Sequence, residues 1–228
     1  MDRSKNIRSV LRTLLDERME YAGLQIPDSL SEQRRMMRTL LNVRPPHPVS
    51  EDLIKAQDRE LQRQLADKGI VALSDIMPCR VDGRLRLWQG DITRLQVDAI
   101  VNAANSALLG CFVPMHRCID NAIHSAAGVP LRLACDRLMQ AQGHPEPTGR
   151  AKITDGYNLP ARYVLHTVGP IVRDTEPTPR QERQLADCYR SCLALADAHD
   201  LQSIAFCCIS TGEFGFPQKR AAEIAVST

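Results

Sequence analysis

The chain has 228 residues, 43% hydrophobic and 25% charged, the balance of an ordinary globular protein and unlike that of a disordered or low-complexity one. Its 29 Lys and Arg against 27 Asp and Glu leave a net charge of +2, which excludes the strong basic footprint of a nucleic-acid binder or a polybasic membrane anchor. No apolar run nears the roughly 18 residues of a membrane span, and MDRSKNIRSVLRTLL is charged where a signal peptide is apolar, so the expectation is a soluble, cytoplasmic protein with no nucleic-acid or membrane partner.

The first third predicts three helices. Ile7, Val10, Leu11, Leu14 and Leu15 follow the rhythm of an amphipathic helix. Ser31 is the expected cap of a second, with Met36, Met37, Leu40 and Leu41 on one side and a stop before Pro45-Pro46. A third starts near Ser50-Glu51-Asp52 and runs through Ile54, Leu61 and Leu65 to Gly69. Residues 1–69 therefore read as a helical N-terminal extension, either a lid or a layer that merely packs on the domain behind it.

From residue 70 to 228 short apolar runs alternate with helical ones. Strands are predicted at IVALSDI from Ile70, RLRLWQ from Arg84, AIVNAA from Ala99, AKITDGY from Ala151, RYVLHTV from Arg162 and SIAFCCIS from Ser203. Helices are predicted from Ile119 to Gln140, from Arg180 to His199, and from near Pro217. The alternation predicts an α/β domain with a mixed, mostly buried sheet, whose ligands bind in the loops beyond the strand ends.

Eight cysteines are too few for a disulfide-stapled scaffold. Cys188, Cys192, Cys207 and Cys208 read as packing residues, and Cys79 and Cys135 have no evident partner. Four loops carry chemistry. Gln89-Gly90-Asp91-Ile92-Thr93 offers a carboxylate to an exocyclic amine, and Val101-Asn102-Ala103-Ala104-Asn105 ends a strand with two amides suited to a polyol. Ser210-Thr211-Gly212-Glu213-Phe214-Gly215-Phe216-Pro217 is a strand-to-helix turn whose backbone can approach a diphosphate. Gly110 to Cys118 contains C-x4-H-x-C, an S₂N set for an ion such as Zn²⁺ with a fourth position open for water or substrate. Two buried thiols beside a surface histidine, or a closed structural site completed by His124 or Cys135, are the alternatives.

In that order QGDIT, VNAAN, His166-Thr167-Val168-Gly169-Pro170 and STGEFGFP resemble the macrodomain family of ADP-ribose-binding modules, over the stretch from Leu85 to the C-terminus. LLGCFVPMHRCIDNAIH stands where hydrolytic macrodomains carry a glycine run, which resembles the zinc-containing macrodomains linked to a lipoyl-associated class of sirtuins. The resemblance implies a three-layer α/β/α macrodomain with a mixed central sheet behind the helical extension. It also implies a zinc-dependent hydrolase, of glycosidase or esterase type, that removes mono-ADP-ribose from modified protein side chains through a carboxylate linkage. A lipoyl carrier protein as substrate and a functional link to a sirtuin are implied with it.

Carried over, Cys111, His116 and Cys118 would hold Zn²⁺; Asp91 would accept from the adenine amine, with the Ile92 N–H beside it. Asn105 would hold the distal ribose, with Asn102 supporting the loop or the sugar, and Asp120 would orient water or act as a base. N–H groups of Cys118, Ile119, Asp120 and Asn121 would face one side of the diphosphate, and those of Ser210, Thr211, Gly212, Glu213 and Phe214 the other. Asn105 and Asp120 are the expected catalytic pair, and Phe216 either closes on the ribose or packs. The sequence ends at AAEIAVST, short of the strand and helix that usually complete the family's fold, so the adenine is expected to lack one face of its pocket. The competing readings are an ADP-ribose-binding module without turnover, zinc shaping its loop, and a structural zinc protein.

Overall fold

A computed structural model describes residues 3–228. The N-terminal layer holds α1 (Arg3–Asp16), α2 (Leu30–Val43) and α3 (Glu51–Lys68). Residues 1 and 2 of the expected extension lie outside the described residues. Ile7, Val10, Leu11 and Leu14 are buried as their spacing predicts, against Met37, Leu40, Leu41, Leu53, Ala56 and Leu61. Ser50 caps α3 and Gly69 ends it, as expected. The cap of α2 is Ser29, not Ser31: its hydroxyl accepts from the Glu32 N–H. The buried stripe of α3 includes Leu53 rather than Ile54, together with Gln57 and Glu60. Gln57 accepts from the Val129 N–H; Glu60 Oε1 pairs with Arg34 at 3.0 Å, and its Oε2 has only the longer approach of Arg3 Nε at 3.7 Å.

Two parallel strands, β1 (Val71–Ala72) and β2 (Leu95–Gln96), form a small sheet. The main sheet contains β3 (Ala99–Ala103), β4 (Ala151–Asp155), β5 (Tyr163–Thr167) and β6 (Ile204–Ala205), in the order β4-β5-β3-β6. β3 runs parallel to β5 and β6, and β4 is antiparallel to β5. Side-chain alternation sends Ile100 and Val164 to one core, beneath α4 (Ile119–Ala127) and α5 (Val129–Gln142). Ala99, Val101 and Leu165 go to the other, beneath α6 (Pro179–Ala198) and α7 (Gln218–Ser227). This is the expected three-layer α/β/α arrangement with a mixed sheet, and Cys188 and Cys192 pack in its second core.

RLRLWQ forms no strand. Leu85 and Leu87 are exposed, and only a single bridge joins Arg86 to Pro78, because the place beside β1 is taken by Leu95–Gln96. SIAFCCIS pairs only at Ile204–Ala205, and a tight turn in which Ile209 N–H donates to Cys207 O leaves Cys208 exposed. The helix expected from Ile119 to Gln140 is broken at Gly128, whose φ of +90° needs glycine. A Cβ there would lie 2.5 Å from Gln57 Nε2, so the break also admits α3. Among the described residues no helix is long and apolar enough to cross a membrane.

Candidate functional site

Parallel pairing sets the site. Asn102, at the end of β3, is in register with His166 of β5, so both project to the same face. Asn102 is fully buried; its Nδ2 donates to Asp120 Oδ1 at 2.8 Å and lies 3.2 Å from His166 Nδ1. It therefore supports the loop and is turned away from solvent. His166 Nε2 is 2.9 Å from Thr154 Oγ1 and 3.7 Å from Cys135 Sγ. Burial pushes His166 down to about 4, holds His124 well below the usual imidazole value, and lifts Cys135 to about 12. Both imidazoles are neutral near pH 7.

Asp120, in the first turn of α4, is buried, and the donors to its carboxylate are side-chain amides rather than helix N–H groups. Its Oδ2 accepts from Asn105 Nδ2 at 3.3 Å, and His124 Nε2 lies 3.6 Å from its Oδ1. Burial raises Asp120 to about 6, although Asn102 and Arg132 pull the other way. Asn105 is half-buried, also donates to Gly110 O at 3.1 Å, and accepts from Ala107 N–H.

The C-x4-H-x-C loop closes on itself. Ligand atoms of Cys111, His116 and Cys118 lie within 4.8 Å of one another, all half-buried. His116 Nδ1 accepts from the Cys118 N–H, and its Nε2 is 3.5 Å from Glu213 Oε1, so this loop faces the Ser210 turn. Burial, with the neighbouring Cys111 thiol, pushes Cys118 up to about 11. His124 and Cys135 cannot complete this set where they stand, because they group with His166 as a separate buried cluster.

At the start of α4, Cys118 N–H is taken by His116 and Asn121 N–H by Cys118 Sγ. The N–H groups of Ile119 and Asp120 have no acceptor among the described residues. Around the Ser210 turn, Thr211 N–H donates to Cys208 O and so does not face a ligand as expected, while Gly215 and Phe216 donate to Gly212 O and Ser210 O, leaving the N–H groups of Ser210, Gly212, Glu213 and Phe214 open among the described residues. Gly169 lets this turn approach β5: a Cβ there would fall 2.0 Å from Ser210 Oγ. Phe216 is buried in the second core, so it packs and does not close on a ligand.

Asp91 Oδ1 accepts from Thr93 N–H and Oγ1, and its Oδ2 pairs with Lys68 Nζ at 3.1 Å. Half-burial raises its pKa, but the Thr93 and Lys68 contacts outweigh that and hold it below the usual value. A groove of about 690 Å³ is lined by Asp91, Ile92, Cys118 and Ile119 together with Phe206–Cys208. Sequence reasoning left His166 without a role and missed Arg38, Asn42 and Arg132, which hold the metal-type loop from behind.

The Macro domain model matches residues 101–225. A protein-ADP-ribose hydrolase of Treponema medium is 53% identical over 221 residues, covering 96% of this chain and 84% of the relative. One from Staphylococcus aureus strain MSSA476 is 50% identical over 212 residues, with 93% and 79% covered. Among solved structures, a Trypanosoma brucei macrodomain in complex with ADP-ribose superposes with a TM-score of 0.61 at 34% identity, over 88% of this chain and 82% of that one. An Oceanobacillus iheyensis macrodomain with ADP gives 0.55 at 45% identity, over 60% and 70%.

Proposed function

The chain belongs to the Macro domain family, and we propose that it hydrolyses mono-ADP-ribose from modified protein side chains. The observation that carries this reading is the contact of Asn105 with Asp120, two residues beyond the cluster of Cys111, His116 and Cys118, whose Cys118 lines a groove that also reaches Asp91. In the proposed pose, Asp91 accepts from the adenine amine and Ile92 N–H donates nearby. The open N–H groups of Ile119 and Asp120 meet the diphosphate from one side and those of Gly212, Glu213 and Phe214 from the other. Asn105 holds the distal ribose. Asp120, fixed by two amides, orients the attacking water.

The cluster fits zinc. It offers two soft sulfurs and an imidazole within reach of a single ion, and a cation would offset the burial that keeps the Cys118 thiol protonated. Held by Cys111, His116 and Cys118, such an ion would supply Lewis acidity at this end of α4. A carboxylate linkage, a lipoyl carrier protein as substrate and a sirtuin as functional partner extend this reading, supported by the resemblance of the LLGCFVPMHRCIDNAIH segment.

Incubation with a mono-ADP-ribosylated carrier protein tests the proposal. Catalytic release of free ADP-ribose is the expected result. Stoichiometric binding without release would instead make the chain an ADP-ribose-binding module.

A further inference from the structure

The loop from Gly110 to Cys118 belongs to no helix or strand and contains a non-glycine residue, Met115, at φ +56°, where side chains are disfavoured. Something must hold it. Its hydrogen bonds lead to the N-terminal layer. Asn42 of α2, 1% exposed, accepts from the Met115 N–H at 3.0 Å. Its other amide atom donates to Ser125 Oγ at 2.8 Å, and Ser125 in turn donates to Asn121 O, so the amide cannot rotate without breaking a bond at both ends.

One turn earlier on α2, Arg38 Nη2 donates to His116 O at 3.2 Å and to Asn121 Oδ1 at 2.8 Å. Asn121 Nδ2 then reaches Val113 O at 3.0 Å and Cys111 O at 3.4 Å. A single guanidinium thereby ties the histidine half of the loop to its first-cysteine half. Arg132 of α5 holds the loop's entry: it donates to Leu109 O and to Leu41 O of α2, with its guanidinium 4.5 Å from the Phe112 ring.

We propose that Arg38 and Asn42 are positioning residues for Cys111, His116 and Cys118, so that the N-terminal helices form a wall of the catalytic site. The inference rests on the proposed reading of that loop as metal-holding. Groups that support metal ligands from behind alter affinity by roughly 10–100-fold when removed, because the ligands lose their preset geometry.

The test uses the full chain with Co²⁺ in place of zinc. Arg38→Ala and Asn42→Ala are compared with wild type and with Arg35→Ala, an exposed arginine on the same helix. A chelator competition gives metal affinity, the cobalt absorption spectrum gives ligand geometry, and a melting curve checks folding. The expected result is at least ~10-fold weaker metal retention and an altered cobalt spectrum in the first two variants, with Arg35→Ala unchanged. Partial rescue is expected in Arg38→Lys, which keeps a donor, and in Asn42→Asp, which keeps the acceptor for Met115. Those conservative variants carry the comparison if the alanine ones do not fold. Wild-type affinity and spectrum in all folded variants would overturn the proposal.

If wild type takes up neither metal, the metal-holding reading falls by itself, and alkylation of Cys111 and Cys118 in the metal-free proteins decides the positioning role. Faster alkylation in the Arg38 and Asn42 variants than in wild type supports it; equal rates overturn it.

Discussion

Asn102 donates to Asp120 at 2.8 Å in a place closed to solvent, and the same amide nitrogen approaches His166. The bond joins the end of β3 to the start of α4, and thus the sheet to the loop that bears the cysteines. Asn102→Ala leaves the Asp120 carboxylate short of a buried donor, a defect that costs on the order of 1–3 kcal/mol. Urea unfolding should show that loss, and the turnover number should fall with it. An unchanged midpoint would mean that Asp120 is held by Asn105 alone.

Acidification should expose the buried imidazoles. His166 titrates near 4 folded against 6.5 unfolded, so between those values the unfolded chain binds more protons and stability is lost as pH falls. His124, lowered by burial, acts in the same direction, whereas Asp120, raised to about 6, works against it because the folded chain holds a proton that the unfolded one releases. Cys135 faces His166 as an uncharged thiol, and Arg132 stays a cation throughout. The two histidines outnumber the one carboxyl, giving a net fall in stability toward pH 4, with up to about 1.4 kcal/mol per pH unit from each fully responding histidine. Unfolding midpoints from pH 4 to 7 should show a shallower slope for His166→Gln than for wild type; parallel slopes would contradict this.

Gly169→Ala should damage ligand binding through the Ser210 turn, since the added methyl would meet Ser210 Oγ at 2.0 Å. Displacing the turn would withdraw the N–H groups of Gly212, Glu213 and Phe214 from the place proposed for the diphosphate. Calorimetry should show ADP-ribose bound roughly tenfold more weakly or worse. Zinc content should not change, because the glycine lies outside the cysteine loop.

Asp91→Ala should raise KM roughly tenfold while kcat at saturation stays within about twofold, the pattern of a contact made equally in ground and transition states. The Lys68 pair is partly solvated on both sides, so its own loss should cost under ~1 kcal/mol of stability. A fall in kcat instead would move Asp91 into the chemistry.

Local pattern made much of this architecture legible. The spacing of Ile7, Val10, Leu11 and Leu14 named a buried stripe, and the unbroken apolar runs at Ala99–Val101 and Val164–Leu165 named strands covered on both faces. RLRLWQ misled because alternation says nothing about whether a partner edge is available, and Ser31 misled because a hydroxyl two residues earlier had the right geometry. The cysteine–histidine loop was readable because Cys111, His116 and Cys118 lie within eight positions. His166 gained its meaning only through register with Asn102, which is 64 residues away. Asn42 and Met115 are 73 apart, and no periodicity in α2 says which of its faces meets a loop so distant in the chain.

Hydrolysis is proposed at the Asn105–Asp120 contact, close in the chain to the Cys111, His116 and Cys118 cluster. The most direct measurement is the rate of ADP-ribose release from a carboxylate-modified carrier protein by zinc-loaded wild type, by the same protein after chelation, and by Asn105→Ala, with ADP-ribose affinity measured on each. Release should fall at least ~100-fold in the last two and return when zinc is restored to the chelated protein, while chelation alone changes affinity far less. Undiminished release from both the chelated protein and Asn105→Ala would contradict the account.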